Sequence, residues 1–259
     1  MQKTLAIVLA LGLAVYVAAC LALFFFQRSL IYFAPAVAAH AAPKTSTLAL
    51  PGATVKVSER PLAGARAMIY LGGNAEDVTA SLPLLDRAFP DHALYLLHYR
   101  GYTGSSGKPS EAALVADALA LFDSVAREHP EVVVVGRSLG TGVAVQLASQ
   151  RPVSRLVLVT PFDSMVGLAA RQFPYFPVRW LLRDRYDSSA YAPRVKAPTL
   201  LLAAGQDEII PAGSAQRLLA RFPSEVARLH VIEGVGHNTI SDSPDYLPLL
   251  QGSGAGPGR

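Results

Sequence analysis

The sequence predicts an α/β domain, a mostly parallel central sheet with helices on both faces, preceded by one transmembrane helix. Three observations predict it. Residues 5–26 carry no charge, short apolar runs alternate with longer amphipathic ones beyond them, and a glycine-flanked serine sits at one of the strand-to-helix junctions.

The chain has 259 residues, 51% of them apolar, enough to bury one large core. Residues 1–35 read as an anchor with its juxtamembrane segment, 36–250 as one domain, and the Gly-rich 251–259 as a disordered tail. A single cysteine, Cys20, lies inside the apolar stretch, so neither a disulfide nor a thiolate metal site is expected. The formal charge of +4 comes from scattered Lys and Arg interleaved with acids. That pattern suits proximity to anionic lipid and gives no support to a nucleic-acid partner.

In chain order, the anchor comes first. The uncharged run 5–26 makes about 33 Å of helix, enough for a ~30 Å hydrocarbon core. A cleaved export signal is the alternative, but its apolar region runs only about 7 to 15 residues, and here Phe24, Phe25 and Phe26 prolong it. A second alternative is lipid attachment at Cys20 after Val17-Ala18-Ala19, against which residues 21–26 stay apolar. Lys3 and the α-amino group, set against Arg28, bias a single-pass protein towards a cytoplasmic N-terminus and an extracytoplasmic, in a bacterium periplasmic, catalytic domain.

Residues 46–50 and 54–59 flank Pro51-Gly52 and predict an antiparallel edge pair. Strands are predicted at 67–71, 93–98, 132–135, 156–160, 199–204 and 228–232, all short and apolar as strands covered on both faces should be. Helices are predicted at 75–88, 110–128, 139–149, 212–221 and 245–250. One stretch breaks this rhythm. Residues 162–193 carry Phe173-Pro174-Tyr175-Phe176-Pro177 and Trp180, and read either as a cap over a site or as a packing helix with surface prolines.

Gly136-Arg137-Ser138-Leu139-Gly140 follows the strand 132–135 and opens an apolar helix. A strand-to-helix turn that sharp lifts the central serine into a strained, exposed position, and the helix N-terminus aims unpaired N–H groups at developing negative charge. A serine hydroxyl needs a base, and the base needs an acid to fix its tautomer. Asp207 follows the strand 199–204, and His237, flanked by Gly236, follows the strand 228–232. Glu208 and Asp163 compete with Asp207 for the acid's place. His40 precedes the domain, His92 and His129 sit near prolines in connections, and His98 and His230 lie in or beside strands. An oxyanion hole also requires two backbone N–H donors. Leu139 supplies one, and Gly72-Gly73-Asn74-Ala75 after the strand 67–71 offers Asn74, with Ala75 next, unless Asn74 merely caps the helix that follows.

Together these residues resemble the α/β-hydrolase-domain family of membrane-anchored serine hydrolases, often labelled serine aminopeptidase-like. Residues 27–33, Gly73-Asn74-Ala75, Tyr99-Arg100-Gly101-Tyr102 and Pro161-Phe162-Asp163-Ser164 carry the resemblance alongside the triad. It implies the α/β-hydrolase fold, one N-terminal helix outside the domain, and cleavage of esters or thioesters of acylated or lipidic substrates. Gly72 departs from it, since many relatives carry His there.

The expected reaction is hydrolysis of a carboxylic ester or thioester through an acyl-enzyme, without cofactor or metal, because no carboxylate or histidine cluster has ligand spacing. Phe173 and Trp180 are candidate substrate contacts, and the N-terminal helix is expected to meet the lipid bilayer. Two other readings stay open. A peptidase acting on N-terminal residues needs an acid to hold the amine, for which Asp163, Asp184 and Asp187 are available; a catalytically silent, membrane-tethered binding module needs no triad at all.

Overall fold

A computed structural model of the chain describes residues 1–35 and 43–252. His40 and the tail beyond Gly252 lie outside the described residues. The chain order is α1 (Gln2–Ile31), β1 (Lys44–Leu50), β2 (Ala53–Arg60), β3 (Arg66–Leu71), α2 (Val78–Ala88), β4 (Ala93–Leu97), α3 (Glu111–Val125) and β5 (Glu131–Arg137), then α4 (Leu139–Ala148) and β6 (Arg155–Val159). The short helices α5 (Met165–Gln172), α6 (Val178–Leu181) and α7 (Ser188–Tyr191) follow, then β7 (Thr199–Ala204), α8 (Ser214–Leu219), β8 (Ala227–Ile232) and α9 (Tyr246–Gln251). This is the α/β-hydrolase fold. Its eight strands lie in the order β1-β2-β4-β3-β5-β6-β7-β8, with β1 and β2 antiparallel and β3 to β8 mutually parallel.

The continuous apolar runs become strands because both faces of the sheet are covered. Ile69, Leu71, Val132, Val134, Leu156, Leu158 and Leu201 pack on one face with residues of α3, α4 and α8. Their sequence neighbours Met68, Tyr70, Val133, Val135, Val157, Val159, Leu200 and Leu202 turn to the other face, against α2 and α9. The period of two that this requires cannot show as polar alternation when neither face meets water.

Strand ends fall within one or two residues of the predicted ones, and helix ends shift by up to three where caps decide them. The predicted helix 75–88 starts at Val78 because Asp77, not Asn74, is the N-cap, its side chain accepting from Thr79 N–H at 3.0 Å. Ala75, with φ 56°, cannot be helical. Ser110 caps α3 in the same way through Ala113 N–H, one residue inside the predicted start.

Two registers position the site. Leu71 pairs with Gly136, which sets the loop after β3 beside the turn after β5. Ala204 pairs with Ile232, which sets the loop carrying Asp207 beside the one carrying His237. Because β8 lies three strand spacings from β5, about 14 Å away, the loop after β8 must reach back along the rim of the sheet. Hydrogen bonds from Gly205 N–H to Ile232 O (2.8 Å) and Gln206 N–H to Val235 O (2.9 Å) fasten the two loops together.

The N-terminal helix runs five residues past the uncharged stretch, and its last turn is pinned to the domain. Gln27 donates to Leu181 O (3.1 Å) and accepts from Arg183 N–H (2.7 Å). Arg28 makes a bidentate pair with the buried carboxylate of Asp184 at 2.9 and 3.1 Å, and the Tyr32 hydroxyl donates to the same group at 3.1 Å while meeting Tyr186 Oη at 2.9 Å. Partners on two residues, Arg28 and Tyr32, keep this carboxylate from being a buried, unpaired charge.

Candidate active site

Ser138 occupies the turn between β5 and α4 with φ 48° and ψ −115°, a left-handed conformation that a non-glycine residue holds only when its surroundings dictate it. The flanking glycines make the turn sterically feasible. A Cβ on Gly140 would lie 2.0 Å from Leu71 O, and one on Gly136 would lie 2.6 Å from Gly140 O. Strand β5, the turn and α4 therefore pack against the end of β3 at backbone contact.

The structure brings the three widely spaced residues into one hydrogen-bonded chain. His237 Nε2 lies 2.9 Å from Ser138 Oγ, and its Nδ1 lies 2.9 and 3.1 Å from the two oxygens of Asp207. His237 is 3% exposed. Burial pushes the Asp207 carboxyl up, but bonds from the imidazole and from the N–H groups of Ile210 and Ile209 outweigh it and hold the group below the ordinary aspartate value.

The competing acids have other partners. Glu208 Oε2 accepts from the backbone N–H of His237 at 3.0 Å, so it fixes the loop and not the ring. Asp163 faces away, with Arg217 Nε at 2.8 Å and a bond from Ser214 Oγ; burial raises its carboxyl, and the Arg217 and Ser214 bonds bring it below its usual value. The remaining described histidines stand outside the site. Burial pushes His98 down to about 4 while it bonds Ser58 at 2.8 Å, His129 bridges Gly64 O and Tyr95, His92 packs edge-on to Phe89, and His230 is exposed.

The backbone N–H groups of Leu139 and Asn74 have no hydrogen-bond acceptor among the described residues, and both residues line the same pocket as Ser138. Ala75, the other candidate donor, is excluded because its N–H bonds Phe33 O at 3.1 Å. The Asn74 side chain is held in turn by Phe33 N–H (2.9 Å) and Tyr102 Oη (2.6 Å). Glu76, with no sequence signal of its own, gathers the loop from behind. Its carboxylate accepts from Gly73 N–H (2.6 Å), Tyr70 Oη and Ser81 Oγ (both 2.7 Å) and Arg137 (3.2 Å), so Arg137 of the serine motif is tied to the loop after β3.

The pocket in front of Ser138 has a volume of about 370 Å³ and mainly apolar walls. Phe162, Met165, Leu168, Phe173 and Phe176 of the 162–193 segment form one side, the position that the cap reading of that segment expects. Trp180 is a correction. It is 88% exposed and absent from the lining, because in the single turn of α6 it points opposite to Val178 and Leu181, which do line the pocket. The wall nobody would read from local pattern is the N-terminal helix itself, which contributes Leu23, Gln27, Leu30 and Ile31.

A model described as "Alpha/beta hydrolase family" matches residues 63–195, half of the chain. The chain belongs to the alpha/beta hydrolase family. A second model, "Serine aminopeptidase, S33", matches residues 178–244. An uncharacterized protein of Mycobacterium tuberculosis is 40% identical over 180 residues, 66% of this chain and 63% of that protein. Alpha/beta hydrolase domain-containing protein aho-3 of Caenorhabditis elegans is 36% identical over 157 residues, 59% and 46% of the two chains. The matched part thus spans less than two thirds of these relatives' length. Among solved structures, an esterase from Pyrococcus furiosus superposes with a TM-score of 0.66 at 17% identity, covering 86% of this chain and 97% of the other. Alpha/beta hydrolase domain-containing protein 10 from mouse gives 0.64 at 18% identity, covering 81% and 96%. At such identities these structures bear on the fold alone.

Within this alpha/beta hydrolase, none of the described residues lining the pocket carries a carboxylate. Asp163 pairs with Arg217, Asp184 with Arg28, and Asp187 caps α7 through Ala190 N–H. Among the described residues no group of three or more His, Cys, Asp or Glu is placed to hold a metal ion.

Proposed function

We propose that the protein is a membrane-anchored serine hydrolase that cleaves a carboxylic ester or thioester whose acyl chain lies in the capped pocket. The observation that carries this reading is the unbroken chain Asp207–His237–Ser138, with contacts of 2.9 Å at both links, opening on an apolar pocket beside two unpaired backbone N–H groups.

In this mechanism His237 Nε2 takes the proton from Ser138 Oγ as the oxygen attacks the acyl carbon. Asp207 holds the Nδ1 proton and offsets the imidazolium charge. The carbonyl oxygen, now negative, accepts from Leu139 N–H and Asn74 N–H; one such donor is worth about 3 to 4 kcal/mol of barrier. His237 then returns its proton to the departing alcohol or thiol. The acyl group stays on Ser138 until water, deprotonated by the same imidazole, attacks it and releases the acid.

The carboxylate-free lining favours an ester or thioester over an N-terminal peptide substrate, whose ammonium would have no partner there. Helix α1 is long and apolar enough to span a membrane and suits a substrate that partitions into lipid. Chain-length preference follows from the pocket. Each methylene buried contributes about 0.8 kcal/mol, so kcat/KM on p-nitrophenyl esters is expected to rise at least about 10-fold from acetate to medium-length chains. A clear preference for acetate contradicts an acyl-binding pocket.

A further inference from the structure

The anchor helix and the cap touch at a level that constrains both. Arg183 lies over the Phe24 ring with 5.8 Å to its centroid, close to the polar turn of Gln27 and Arg28. Two turns nearer the N-terminus, Tyr16 Oη donates to Tyr175 O at 2.9 Å, and the Tyr16 ring stacks on Phe176 at 5.8 Å. The cap therefore runs alongside α1 well into its uncharged stretch.

With Lys3 in the far headgroup layer, the ~20 residues needed to cross ~30 Å of hydrocarbon end near Leu23. Tyr16 then lies seven residues, about 10 Å, inside the near boundary. Whatever is bonded to Tyr16 shares that depth. Residues on the cap's outer surface suit such a place. Tyr175 and Trp180 are 86% and 88% exposed, two large aromatic side chains that no part of the described chain covers. Around them Arg171, Arg179, Arg183 and Arg185 are exposed, the combination of aromatic rings and cations found where protein crosses the headgroup layer.

We propose that the cap tip, residues 173–180, is immersed in the lipid leaflet beside α1, so that the pocket receives acyl chains from within the bilayer. The inference rests on the reading of α1 as a spanning anchor. The pocket supports it from the other side, because Leu23 of α1 and Phe176 of the cap tip both line it. An acyl chain passing between them reaches Ser138 without crossing water. The occupant of the exposed aromatic face is thus the lipid itself, and the immersion depth matches the ~5–10 Å of other interfacial elements.

Trp180 is the chain's one tryptophan, so its fluorescence reports on the cap tip alone. The full chain, as wild type and as Ser138→Ala, is reconstituted into phosphatidylcholine–phosphatidylglycerol vesicles carrying lipids brominated on the upper acyl carbons. At an interfacial depth of ~5–10 Å the emission is expected to shift to the blue and to fall about twofold relative to unbrominated vesicles, equally in both proteins. Unchanged emission from protein that resists carbonate extraction overturns the immersed cap and leaves the anchor standing. Protein stripped from the vesicles by carbonate overturns both. Failure of the hydrolase reading would move neither signal, since Ser138→Ala is measured alongside.

Discussion

Replacing Ser138 with alanine is expected to lower ester turnover by on the order of 10⁴- to 10⁶-fold and to abolish labelling by a fluorophosphonate probe, with the fold unchanged. Among the described residues the side-chain oxygen makes one hydrogen bond, 2.9 Å to His237, while the strained backbone is held by Ser138 N–H on Val159 O and by the packing of Gly136 and Gly140. Alanine fits that space and loses only the nucleophile. Labelling that persists in Ser138→Ala at wild-type rate refutes the assignment, and a variant that unfolds is recognised by its circular dichroism.

Asp207→Asn is expected to cost on the order of 10³- to 10⁴-fold in kcat, because an amide presents its N–H₂ to His237 Nδ1 and selects the tautomer that cannot take the serine proton. Glu208→Gln, which keeps an acceptor for His237 N–H, should cost about 10-fold or less, since it shifts a loop and leaves the ring's partner in place. Equal losses in the two variants contradict the division of labour. Acid gives a further test of Asp207. The carboxyl of Asp207 is lower in the folded chain than in the unfolded one, so its stabilising contribution is complete above the ordinary aspartate pKa of about 3.9 and fades as pH falls through the folded value. Thermal unfolding followed from neutral to acidic pH should therefore show a steeper loss in the wild type than in Asp207→Asn.

The strands and the order Ser138, Asp207, His237 were legible in the sequence because each rests on local signals. A strand buried on both faces reads as an apolar run, and Ser138, Asp207 and His237 follow such runs. Asp207 is the preferred acid from its place after the strand 199–204, with Glu208 and Asp163 as competitors; what sequence spacing does not give is the direction of the two adjacent side chains, Asp207 towards the His237 ring and Glu208 towards its backbone. Asn74 divides in two: its backbone N–H is unpaired among the described residues and the residue shares the Ser138 pocket, while the alternative role of helix cap passes to Asp77 because Ala75 takes a left-handed conformation. Trp180 was drawn towards the site by composition and turned outward by the phase of a four-residue helix. Glu76 gave no signal although Tyr70, Gly73 and Ser81 lie close to it in sequence, since only the fold of the loop turns them towards one carboxylate; the wall formed by Leu23, Gln27, Leu30 and Ile31 gave none as a wall, since its partners lie far away, and Gln27 meets Leu181 across 154 positions. Contacts of that range depend on how elements dock, which periodicity and capping leave open.

The rest depends on the acyl group passing through Ser138. The most direct measurement is peptide mass spectrometry of the wild-type protein after it reacts to completion with a fluorophosphonate. One adduct, on the peptide containing Ser138 and in step with loss of esterase activity, is the predicted result. Activity lost with Ser138 unmodified, or an adduct fixed to another residue, would contradict the account.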